Sequence, residues 1–151
     1  MSNLAAIIIA AAAGSLMAWQ GTLNSFLARR VTLAGATLIV HIIGTAVAAA
    51  VVIYLASSNR LAAGWDDALR TPAYAYLGGL LGVAIIWTVA ASIGRVGAAS
   101  ATTAIVAAQV TTAALLDHFG LLHLKTVPFC WARLAGLGLL VAGTWLVLRG
   151  S

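Results

Sequence analysis

The chain has 151 residues, of which 63% are apolar and only 7% charged. Soluble domains run at about 45–50% apolar and about 25% charged, and eight Lys/Arg with three Asp/Glu are too few to cover a water-facing globule of this length. The same figures exclude disorder, and the net charge of +5 is scattered singly, with no basic stripe for nucleic acid. An integral membrane protein remains, its abundant Ala and 15 Gly suited to close helix approach.

Five apolar segments are each long enough to cross about 30 Å of hydrocarbon at about 1.5 Å per residue. The first covers residues 4–28 and ends at Arg29-Arg30. Met1-Ser2-Asn3 carries no basic residue, so this run reads as a membrane helix and not as a signal peptide. The second span covers 34–56. A loop with Arg60, Trp65, Asp66, Asp67 and Arg70 follows, where the Asp66/Arg70 spacing allows one helical turn at the surface. Pro72 opens the third span, 73–93, and Gly94-Arg95-Val96-Gly97 reads as a tight turn into the fourth, 98–116. Asp117, His118, Gly120, His123 and Lys125 fall in the next loop, and the fifth span runs over 129–148 with Arg133 inside it. The runs are continuously apolar, not alternating, which excludes a membrane β-barrel. No internal repeat is evident along the chain. The expected fold is all-α, one transmembrane domain over residues 1–151 with five spans.

Lys and Arg divide equally between the two faces that alternating spans define. One face holds Arg29, Arg30, Arg95 and Arg149; the other holds Arg60, Arg70, Lys125 and Arg133. The positive-inside rule therefore assigns no orientation. Two readings stand: a single orientation in which Arg133 snorkels or is buried, or insertion both ways with pairing as an antiparallel homodimer of ten helices. Inverted halves around a midplane site are a common transporter plan.

Polar side chains inside the spans are the candidate site. Gln20 and Asn24 lie four apart on the first span; His41 lies on the second, Trp87 on the third and Gln109 on the fourth. Counted from the ends that share a face, these four spans place His41, Trp87, Gln20 and Gln109 at depths between about 10 and 16 Å. A polar layer of this kind suits a small-molecule or ion substrate. Its plainer alternatives are interhelical hydrogen bonding for the amides, a packed neutral imidazole for His41, and lipid contact for Trp87. Asp117 sits at a helix C-terminus, where a negative charge is disfavoured. With His118 it is a candidate for coupling or gating. Gly78, Gly82 and Gly136 lie at the spacing of close helix packing. The three His and single Cys130 form no metal cluster, and the spans hold no general acid–base pair, so neither a cofactor nor an enzyme activity is expected.

Several of these segments resemble one family. They are Gly14 with Gln20-Gly-Thr-Leu-Asn24, Gly78-Gly79-Leu-Leu-Gly82, Gln109 through Asp117-His118-Phe119-Gly120, and Arg133-Leu-Ala-Gly136 with Gly143. Together they are similar to the YdcZ-like family of small bacterial inner-membrane proteins, placed in the drug/metabolite transporter superfamily. The resemblance implies a five-helix subunit that works as an antiparallel homodimer, as an oppositely oriented pair or in a fused two-domain form, and that exports or exchanges a small solute. Small multidrug exporters of that superfamily couple protons through a glutamate inside helix 1. Here the first span holds Gln20 and no carboxylate, which leaves Asp117 or His41 for any coupling. The function expected is thus a small-solute transporter in the inner membrane, with a narrow channel and a non-transporting scaffold as the competing readings.

Overall fold

The computed structural model describes residues 3–58, 70–120 and 126–150. Five α-helices occur among them: α1 (Asn3–Val31), α2 (Leu33–Ser57), α3 (Leu77–Val96, entered through a 3-10 turn over Ala73–Tyr76), α4 (Ala98–Phe119) and α5 (Trp131–Arg149). All five are long and apolar enough to cross a membrane. The surface turn expected around Trp65, Asp66 and Asp67, together with Arg60, His123 and Lys125, lies outside the described residues.

Helix ends depart from the expected spans at the polar residues. Arg29 and Arg30 are still helical, and the loop expected over 30–33 contracts to Thr32 alone. Gly94 and Arg95 are likewise helical, so the second tight turn is Gly97 alone. Basic side chains in the last turn of α1, α3 and α5 complement the negative end of the helix dipole. Two of them, Arg30 and Arg149, also sit over the rings of Phe26 and Trp145. Asp117 and His118, expected in a loop, belong to the last turn of α4, which stops where Gly120 adopts the left-handed conformation (φ 60°, ψ 33°).

The chain forms two compact units, residues 1–91 and 92–151. In the first, α1 packs on α2; in the second, α4 packs on α5. Each unit contains one of the single-residue junctions, and the two are built alike. Thr32 has φ 74°, ψ 160°, and Gly97 has φ 84°, ψ 165°. The carbonyl of each accepts the N–H four residues on, Ala36 at 3.0 Å and Ala101 at 3.2 Å. The flanking sequences correspond: Arg30-Val-Thr-Leu-Ala-Gly-Ala-Thr37 and Arg95-Val-Gly-Ala-Ala-Ser-Ala-Thr102 share Arg, Val, both Ala and the final Thr. A short repeat therefore exists where none was expected. It escapes inspection of the spans because only the turn and the small residues after it recur.

The buried core is made mostly of small side chains. Its apolar members are Ala36, Ala90, Ile93, Ala101, Ala107 and Ala114, and its polar members are Asn24, Ser25, Thr37, Ser100 and Thr144. Large apolar side chains, from Leu4 and Ile7 to Leu146, face outward, as expected where lipid or another chain is the neighbour.

Candidate functional site

Most hydroxyls in the spans are satisfied within their own helix. Thr22, Thr37, Thr88, Thr103, Thr111 and Thr144 each donate to a carbonyl one turn back, at 2.8–2.9 Å. They need nothing further from a partner or a solute. Ser25 is the exception: 2% exposed, its Oγ is the buried side-chain polar atom left without a hydrogen bond among the described residues. It follows Asn24, itself 5% exposed, and lies one turn from the buried Gly21 on α1. Asn24 is among the candidates that the sequence offers; Ser25 is not. Its signal was present in the spacing, since Gly21 and Ser25 are four apart on the same helix face.

His41 stands on α2 one turn after Thr37. Its Nδ1 lies 2.8 Å from the Thr37 carbonyl oxygen, which only accepts, so Nδ1 carries the proton. In the Nδ1-protonated tautomer, Nε2 is a bare acceptor. That nitrogen points at α3: a Cβ built on Gly82 would lie 3.9 Å from it. The glycine leaves room at the acceptor, and the first unit thus aims an imidazole lone pair into the α2–α3 contact. Gln20 and Trp87 are exposed on α1 and α3, and Gln109 is exposed on α4. A Cβ at Gly78 or at Gly136 would meet nothing within 4 Å.

The second unit holds a different constellation. Arg133, in the first turn of α5, donates from one terminal nitrogen to Asp117 Oδ2 at 3.3 Å and from the other to the Val127 carbonyl at 3.2 Å. The stray charge of the fifth span is thus the counterion for the unfavourably placed carboxylate of α4. The Val127 N–H donates to the Asp117 carbonyl at 2.9 Å, fastening the connection to the end of α4. His118 packs between the rings of Phe119 and Phe129, with centroids at 5.0 and 4.8 Å. Its Nδ1 accepts the Phe129 N–H at 3.3 Å, so its neutral ring carries the proton on Nε2, the opposite tautomer to His41. The Asp117–Arg133 pair opens on a cavity of about 330 Å³ between α4 and α5, walled by Val110, Ala113, Gly136 and Leu137. No group of three or more His, Cys, Asp or Glu that would hold a metal occurs among the described residues.

Five membrane-length helices with a core of small side chains and polar groups inside the spans define a multi-pass α-helical membrane protein. The chain belongs to the YdcZ family: the family model described as "Putative inner membrane exporter, YdcZ" matches residues 5–146. No curated protein and no solved structure matches it.

Proposed function

We propose that the protein exports a small solute across the bacterial inner membrane, and that the working unit is an antiparallel homodimer of ten helices. The family description names an exporter. The observation that carries the reading is Asn24-Ser25, two consecutive polar side chains buried in a membrane helix with the serine hydroxyl unbonded. Leaving such a group unpaired costs about 1–3 kcal/mol, and a bound water or solute removes the cost. His41 supplies an acceptor, and Gln20, Trp87 and Gln109, exposed on α1, α3 and α4, supply amide and indole groups. We assign these residues, with Asn24, to the solute layer. Asp117 and His118 are assigned to coupling or gating.

Proteoliposome flux tests the proposal, using solutes first selected by their thermal stabilisation of the detergent-purified protein. Saturable flux is expected for a selected solute. It should be lost in the Gln20→Ala/Gln109→Ala double variant and in Ser25→Val, with the dimer retained on size-exclusion chromatography. Undiminished flux in both variants removes these residues from the site. Large non-saturating currents would make the protein a channel, and absence of flux with a stoichiometric membrane partner would make it a scaffold.

A further inference from the structure

The cavity between α4 and α5 is walled by apolar and small side chains, yet one end is a pair of opposite charges. Asp117 and Arg133 are held by a single contact of 3.3 Å, not by a two-bond fork, and remain 37% and 31% exposed. Asp117 engages only Oδ2, and the guanidinium engages one N–H on the carboxylate and one on the Val127 carbonyl. Oδ1 and the remaining guanidinium N–H groups are uncommitted among the described residues. The pair is fixed in place by the Val127–Asp117 backbone bond and by the Phe129–His118 bond, so little ordering is needed for a ligand to dock.

We propose that this cavity is a binding site for a zwitterion: a molecule with an ammonium and an anionic oxygen group a few ångströms apart and a short apolar body. The reason is charge balance beside apolar walls. A neutral pair among apolar walls takes up an isolated ion only by leaving one charge uncompensated, which is costly. A zwitterion places its ammonium on Asp117 Oδ1 and its anionic group on the free edge of Arg133, and the total stays zero. The apolar body lies along the walls toward Val110, about 10 Å further into the span. Room for it comes from Ala113 and Gly136, since even a Cβ at Gly136 would touch nothing within 4 Å. A volume of about 330 Å³ lies at the small end of ligand sites. The same chemistry occurs in a free amino acid and in an aminophospholipid headgroup with its chain in the groove.

The test uses the full chain in nanodiscs of phosphatidylglycerol alone, so that no zwitterionic lipid is present. Leucine and dihexanoyl-phosphatidylethanolamine are titrated by calorimetry, alongside the two single-charge relatives of leucine, 4-methylpentanoate and isoamylamine. At least one zwitterion is expected to bind, and which one does identifies the source. The single-charge compounds should bind at least roughly tenfold more weakly. Asp117→Asn and Arg133→Gln should each cost roughly tenfold or more in affinity. Gly136→Leu, which fills the groove without touching a charge, should abolish binding while circular dichroism keeps the helix signal. Failure of both zwitterions at millimolar concentration, equal binding of the single-charge compounds, or full binding by Gly136→Leu overturns the proposal. Binding is read without transport and uses no residue of α1–α3, so its failure and that of the export reading are separate results.

Discussion

Thr32 and Gly97 perform the same task with different chemistry. Both occupy a region of backbone space that is essentially glycine's own, and a β-branched residue there is strained by about 1–3 kcal/mol. Thr32 recovers part of this through its hydroxyl, which accepts the Gly35 N–H at 3.2 Å and caps α2. Replacing a capping Thr by Gly costs only a few tenths of a kcal/mol, so strain relief wins. Thr32→Gly is expected to stabilise the protein by about 1 kcal/mol, and Gly97→Thr to destabilise it by about 1–2 kcal/mol. Thermal unfolding in detergent measures both. Since a Cβ at Gly97 meets nothing within 4 Å, any loss there is a backbone effect. Stabilisation by Gly97→Thr would show that the shared turn geometry is wrong.

At the scale of elements, α2 and α3 come near each other where one glycine faces one imidazole. Gly82→Ala adds a methyl at ordinary contact distance from His41 Nε2 (3.9 Å) and gains helix propensity, so it should leave stability unchanged or slightly higher. Gly82→Leu fills the space before Nε2 and displaces the ring from the Thr37 carbonyl. The His41 ring resonances are expected to shift in nuclear magnetic resonance spectra of the leucine variant and to hold in the alanine variant. Equal shifts in both would mean the ring does not face Gly82. This pairing was half legible beforehand: Gly82 belonged to a close-packing motif and His41 to a polar layer, but spacing on separate helices says nothing of which residue meets which. The Asp117–Arg133 pair was illegible for the same reason. Sixteen residues and a connection separate the two, and each looked like a misfit on its own helix. Being about one third exposed, the pair contributes at most about 1 kcal/mol; it orients groups more than it stabilises the unit.

For the whole molecule, large apolar side chains cover each helix and no large side chain is fully buried among the described residues. The driving force for placement is therefore transfer into lipid or against other helices, not burial in a private core. With Lys and Arg balanced across the two faces, the proposed dual orientation makes a prediction that this chain is equipped to report. Cys130 is its one cysteine and is exposed beside the start of α5. A membrane-impermeant maleimide added to intact spheroplasts should label about half of the chains, and the rest only after lysis, if both orientations are inserted. Complete labelling from one side, or labelling solely after lysis, would leave the antiparallel dimer without support.

Sequence alone determined that this is a five-helix membrane protein, because membrane crossing depends on the length and apolarity of contiguous runs, and those are local properties. It also located the polar misfits, since each is conspicuous against its own span. Tertiary structure decided their fates. Most hydroxyls turned back onto their own helix, Ser25 was buried unbonded, His41 took up a place before Gly82, and Arg133 found Asp117 across a groove. These outcomes depend on which helix faces meet and how closely. In a core made mostly of alanine, serine and threonine that is set by packing between distant segments, which composition and periodicity leave open.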